Sequence, residues 1–395
     1  MLEHRIDQTF DVRYSYSVCF TRRALWPGNP LLAELLRTSA AGSESRVLFV
    51  VDSGVAQTRA DPVEQILRYA RAHADQFELV STPVIVRGGE AAKHGVREVE
   101  AIHDLVHEFQ LCRHSYVVAI GGGAVLDAVG YACATAHRGI RLIRMPSTVL
   151  AQNDAGVGVK NAVNWRGRKN FIGTFAPPFA VVNDFDLLAS APAAVRRAGI
   201  AETVKVALIR DEAFFRQIHR RRFDLAALAA HAIEPMIVRC AELHLAQIRD
   251  SGDPFERGSA RPLDFGHWSA HKLEERSNHR LLHGEAVAIG IALDTLYSRR
   301  IGLIDDAAAD IVLTTLRDIG FALDDAALDA LDVEQALGDF REHLGGRLCV
   351  TLLNGIGEGI EVDRIDVAAM RVCVTELRAS RQLVRAANPA QEVST

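Results

Sequence analysis

Several residues in the middle of this chain have the types and spacing for metal and phosphate chemistry. His267 and His271 are four apart, His283 opens His283-Gly284-Glu285, and Glu202 lies in a helical stretch upstream. Two histidines at i and i+4 can share a metal, and a carboxylate with two histidines leaves one coordination position open for water or substrate. Spacing alone makes His267 with His271 the first ligand pair to consider, although 15 histidines make chance pairs common. A basic group, Arg138, Lys160, Lys169 and Lys205, is interleaved with Asn153, Asp154, Asn164 and Asn170. Single lysines are usually solvated, but several within a loop-rich stretch suit a phosphorylated substrate. In Gly121-Gly122-Gly123-Ala124-Val125-Leu126-Asp127 small residues would let backbone N–H groups meet a phosphate. The spacing is not GxGxxG, and glycines serve a tight turn as readily as a dinucleotide site.

These residues need elements to position them. Arg46–Val51 is a short β-branched run that stops at Asp52-Ser53-Gly54, and a helical period over 61–77 follows with Asp61 as N-cap and Pro62 at the first helical position. A second strand is predicted at Leu79–Val86, running into Arg87-Gly88-Gly89-Glu90, then a helix over Val96–Phe109. A third strand, Tyr116–Ile120, ends in the three glycines. Alternating strands and helices indicate βαβ units, with the loops around Asp52, Glu90 and Gly121 on one sheet edge where ligands bind. From about residue 185 alanine- and leucine-rich helical periods dominate, over 193–245 and 284–316, and Arg347–Leu353 could add a peripheral strand. The fold expected is therefore α/β: an N-terminal Rossmann-like parallel-sheet domain, 1–185, and a mainly α-helical C-terminal domain, 186–385, with a polar tail at 386–395.

Composition narrows the function classes. At 395 residues, 49% hydrophobic, 24% charged and a net charge of -5, the chain is neither fibrous nor disordered, and it has no global cationic field to bind nucleic acid or a membrane surface. Its six cysteines include no CxxC pair, which fits a reduced, cytoplasmic setting, and the N-terminus lacks the apolar core of a signal peptide. The most membrane-like stretch, Tyr116–Ala136, contains three glycines and Asp127, so a strand, turn and helix explain it better.

Six stretches in order resemble the dehydroquinate synthase superfamily of sugar phosphate cyclases: GGGAVLDAVG (121–130), RGIRLIRMPSTVLAQNDAGVGVKNAVN (138–164), RKNFIGTF (168–175), GIAETVKVALIRD (199–211), DFGHWSAH (264–271) and LLHGEAVAIG (281–290). With weaker matches before them they cover roughly residues 46–300. The resemblance implies a tightly held NAD and one divalent metal, zinc or alternatively cobalt. It implies Glu202, His267 and His283 as metal ligands, moving His271 to a substrate or phosphate role. It places Asp52, Glu90, Lys93, Gly121, Gly122, Gly123, Asp127, Ser147 and Thr148 at NAD positions. Arg138, Asp154, Lys160, Lys169, Asn170, Lys205 and, with them, Asp264 and His271 fall at substrate positions. A phosphorylated sugar substrate and a homodimer follow from the same resemblance.

Departures from the dehydroquinate synthase pattern bear on the substrate. Asp264 takes the place of an asparagine, Arg261 lies three residues before it where an arginine is expected four before, and His244 matches an upstream lysine. These positions surround the substrate carboxylate in that family, and an aspartate there repels a carboxylate while accepting hydrogen bonds from hydroxyls. The pattern DFGH resembles the valiolone-type cyclitol synthases, which implies sedoheptulose 7-phosphate. 3-Dehydroquinate synthase and a metal- and NAD-dependent polyol dehydrogenase are the alternatives. Glu358 aligns weakly with a C-terminal lysine of the family.

Overall fold

The computed structural model describes residues 4–37, 45–59, 61–258, 263–278 and 280–387. A parallel sheet is built from β1 (Ser17–Thr21), β2 (Ser45–Asp52), β3 (Phe77–Leu79), β4 (Val84–Val86), β5 (Tyr116–Gly121), β6 (Arg141–Pro146) and, after the antiparallel hairpin β7 (Lys160–Trp165) and β8 (Arg168–Phe175), β9 (Ala180–Asp184). Its order is β1-β9-β6-β5-β2-β3, with β4 also on β2. Helices α1 (Leu31–Leu36), α2 (Ser53–Ala56), α3 (Pro62–Ala72), α4 (Arg97–Glu108) and α5 (Gly123–Thr135) make the crossings. Alternate residues of β2 and β5 enter different cores. Val47, Phe49, Val51, Val118 and Ile120 pack on one face, and Leu48, Val50, Val117 and Ala119 on the other. Burial on both faces is what a continuous Val/Ile/Leu run produces in a parallel sheet.

The helical half contains α6 (Ala193–Arg210), α7 (Glu212–Arg220), α8 (Arg222–Ala226), α9 (Ala230–Asp250), α10 (His267–Arg276), α11 (His283–Arg300), α12 (Asp306–Ile319), α13 (Ala326–Asp329), α14 (Val333–His343) and α15 (Val367–Ala387), with the hairpin β10 (Val350–Gly355) and β11 (Glu358–Val362). One apolar core runs through it and takes in Val149 and Leu188 from the sheet side. Two glycine contacts set the helix crossings. A Cβ on Gly284 would lie 1.8 Å from Ala198 O, and one on Gly290 would lie 2.0 Å from Gly266 O. Glycine therefore lets α11 approach α6 and the start of α10 at backbone contact.

Three expectations change. The strand predicted over Leu79–Val86 is two short ones, β3 on the start of β2 and β4 on its end; Pro83 between them has no N–H for a ladder. The β7–β8 hairpin was not read as strands, because five of its eight β8 residues are exposed and no core-facing run marks it. Finally, α15 continues to Ala387, into the segment expected as a polar tail; residues 388–395 lie outside those described. Tyr116–Ala136 is a strand and helix, and no helix among the described residues is long and apolar enough to cross a membrane.

Candidate active site

The strands deliver the glycine-rich loops to one edge. Asp52 ends β2 opposite Val86 of β4, and Gly121 ends β5 opposite Pro146 of β6. The 13-residue α5 starts at Gly123, and its N-cap Gly122 supplies no side-chain cap, so the helix's positive end is presented by bare backbone. A Cβ on Gly121 would stand 3.0 Å from Asp52 Cβ, and one on Gly122 3.4 Å from Thr148 Cγ2. Gly123, Ser147 and Thr148 complete this cradle; Ser147 N–H donates to Gly121 O and Thr148 Oγ1 accepts from Ala151 N–H. Nearby, Lys93 donates to Asp127 at 2.6 Å and to Asn170, while Asn164 donates to Glu90 at 2.6 Å. The donor-rich helix end and flanking carboxylates fit a dinucleotide's pyrophosphate and ribose hydroxyls.

Across from this edge, the α6, α10 and α11 crossings bring together Glu202, His267 and His283. One ligand atom from each lies within 4.8 Å of the others, and no other triad among the described residues does so. His283 Nε2 is 3.1 Å and His267 Nε2 3.5 Å from Glu202 Oε1. Glu202 is fully buried, and its Oε2 accepts no well-aligned hydrogen bond, only the Lys205 ammonium at 2.5 Å. Burial opposes the charge on Glu202, but Lys205 and His267 outweigh it and hold the carboxyl well below its usual range. His283 is pushed up to about 10, since the Glu202 and Glu274 carboxylates outweigh its burial. A buried carboxylate with one oxygen left without a hydrogen bond, converging with two imidazoles, is a donor set suited to zinc or cobalt.

Spacing had suggested His267 with His271. The structure instead pairs His267 with His283 around Glu202, and His271 stands beside them with ring centroids 5.4 and 6.2 Å away. Burial, then the charges of His267 and His283, push His271 down to about 3. Sequence reasoning missed Glu274. It accepts from His283 Nδ1 at 3.0 Å and from Lys169 at 2.8 Å, so it orients one imidazole and ties β8 to α10. A signal was present: Glu274 follows His267 by seven and His271 by three, one helix face.

The expected substrate residues converge less evenly. Lys205 and Asp264 lie by the triad. Burial works against the charge of each, yet Glu202, Asp154 and Asp264 hold the Lys205 proton above its usual range, and His267, Lys160 and Lys205 hold the Asp264 carboxyl below its own. Asp154 pairs with His244 at 2.8 Å, and Lys160 with Glu256 at 2.7 Å. Lys169 is engaged by Glu274, and Asn170 belongs with Lys93 on the dinucleotide side. Arg138 is a correction. It is exposed and lies three residues before β6 begins, at the sheet edge opposite Gly121, so within one chain it does not reach the site.

Comparison with known proteins decides the family. The families described as 3-dehydroquinate synthase N-terminal and C-terminal match residues 83–198 and 199–341. The chain belongs to the dehydroquinate synthase-like sugar phosphate cyclases. A 3-dehydroquinate synthase of Xanthomonas axonopodis is 35% identical, covering 86% of this chain and 92% of its own. A 2-epi-5-epi-valiolone synthase of Streptomyces glaucescens is 34% identical over 89% and 87%. The structure of ValA, a 2-epi-5-epi-valiolone synthase from Streptomyces hygroscopicus with NAD+ and Zn2+ bound, superposes with a TM-score of 0.84 at 28% identity, covering 95% of this chain and all of that one.

Against this family background the departures acquire places. Asp264 sits among Lys160, Lys205, His267 and His271, and His244 is bound to Asp154. Arg261 lies outside the described residues. Glu358 does not join the site: it is exposed on β11, where Asn354 donates to it at 3.0 Å.

Proposed function

We propose that this chain is a phosphate-eliminating carbon–oxygen lyase that converts sedoheptulose 7-phosphate into a valiolone-type cyclitol. Asp52, Glu90, Lys93, Gly121, Gly122, Gly123, Asp127, Ser147 and Thr148 would hold NAD, and Glu202, His267 and His283 a zinc ion. The observation that carries the substrate is the ionised Asp264 beside the triad. A fixed carboxylate there opposes the carboxylate of the seven-carbon keto acid phosphate and favours the hydroxyls of a neutral-headed sugar.

When bound, the metal acidifies a secondary alcohol and NAD takes and later returns its hydride, so net redox is zero. This chain's own residues bind, orient and hold protons. Lys205 keeps its charge, so it stabilises anionic oxygen rather than accepting a proton. His271, beside the triad with its ring 5.4 Å from that of His267, serves as a hydrogen-bond partner. The proton removed during β-elimination then goes to the substrate's own phosphate, which Lys160 holds in an eliminating geometry. Ring opening and an intramolecular aldol complete the cyclitol.

The second reading is 3-dehydroquinate synthase, favoured by relatives of that activity at 35% identity. Incubation with each sugar phosphate, with released phosphate and product identified, separates the two. Release from sedoheptulose 7-phosphate alone is expected; turnover of the keto acid phosphate alone overturns the proposal. Steady NADH accumulation would instead reveal a polyol dehydrogenase.

A further inference from the structure

Arg144 on β6 is fully buried, and nothing in the reaction outlined above uses it. Its guanidinium has no ion-pair partner among the described residues. Nη1 donates to Gly156 O at 3.1 Å and Gly158 O at 2.8 Å, and Nη2 to Lys160 O at 3.1 Å and Asn161 Oδ1 at 2.6 Å. Nε meets no partner. A guanidinium with no carboxylate in direct contact, only the nearby charge of Asp127, is costly to bury, and here all its hydrogen-bond acceptors belong to one segment, 156–161. That segment joins Asp154 to Lys160, and its glycines give it little conformational preference of its own. Its far end is fixed as well. A Cβ on Gly130 of α5 would lie 1.8 Å from Asn161 Oδ1, so Asn161 fits only because residue 130 is glycine. The network therefore runs from the helix of the dinucleotide cradle, through Asn161 and Arg144, to the segment bearing Asp154 and Lys160.

We propose that Arg144 is the positioning residue of the substrate segment: by drawing three carbonyls and the Asn161 amide oxygen toward β6, it fixes the backbone from which Asp154 and Lys160 face the sugar phosphate. The inference rests on the proposed substrate role of those two residues. The test compares Arg144→Gln and Arg144→Lys with wild type by hydrogen exchange of the Val157 and Gly158 amides, both bonded to Asp154 O, and by steady-state kinetics on sedoheptulose 7-phosphate. R144Q loses the charged fork that holds the segment, so it should raise KM by about tenfold or more. Exchange in 154–161 should rise by a similar factor, with kcat within about threefold and bound zinc and NAD unchanged. R144K should recover part of both effects, and it carries the test alone if R144Q does not fold. Exchange that rises evenly across the protein, or a KM that stays at wild type, overturns the proposal. If wild type leaves sedoheptulose 7-phosphate untouched, the substrate assignment fails, while the exchange measurement still decides whether Arg144 holds the segment.

Discussion

Glu202 lies fully buried between two imidazoles and an ammonium, so its removal tests the metal site most directly. Glu202→Ala should abolish bound zinc, read by metal analysis of the purified protein; a full equivalent retained would remove Glu202 from the ligand set. Glu274→Gln is the subtler change. It keeps the shape but weakens the acceptor for His283 Nδ1, and second-layer partners of this kind typically set about 10–100-fold in metal affinity. Competition with a chelator should show that loss. Asp294 supports the third position from within α11. Its carboxylate accepts from Gly266 N–H at 2.9 Å and Trp268 Nε1–H at 2.8 Å, the residues flanking His267, although burial pushes its pKa up to about 7. Spacing could name histidines and carboxylates, but it could not choose His283 over His271. That choice depends on the Gly284 and Gly290 contacts, which bring three helices together and leave no periodic trace in sequence.

At the scale of elements, the turn after β4 carries Glu90 and Lys93, and it is fixed by Arg87, whose Nε and Nη2 donate to Glu98 of α4 at 2.5 and 2.6 Å. Burial opposes the Glu98 charge, but Arg87 outweighs it and holds the carboxyl below its usual range. A carboxyl depressed on folding adds stability above its unfolded pKa, and the contribution is lost as pH falls through the folded value. Glu98→Gln should therefore cost about 1 kcal/mol at pH 7, modest because Arg87 is partly solvated, and the gap from wild type should close below about pH 4. NAD affinity should fall with it while zinc content stays. Denaturant melts at several pH values check the first part; a gap that widens in acid would contradict the assigned sign. The strands and α4 were legible because runs such as Tyr116–Ile120 have unmistakable periods. The β7–β8 hairpin was not. Its turn uses Arg166 and Gly167 at φ 48° and 80°, a left-handed pair without the Asn-Gly signature that flags such turns.

At the scale of the molecule, the dinucleotide cradle and the metal triad belong to different halves of the chain, and side chains cross between them. Lys169 of β8 meets Glu274 of α10, Asp154 meets His244 of α9, and Lys160 meets Glu256, while Val149 and Leu188 enter the helical core. If these contacts bind the halves into one cooperative unit, each ligand stabilises the whole chain by RT ln(1 + [L]/Kd), about 2.7 kcal/mol at a hundredfold excess over Kd. NAD and zinc together should then shift a single calorimetric transition by the sum of their separate shifts. Lys169→Met removes one crossing contact while leaving Glu274 on His283, and it should weaken that additivity before it affects either cofactor alone. Two transitions, one moved only by NAD and the other only by zinc, would show instead that the halves unfold independently and meet only around substrate.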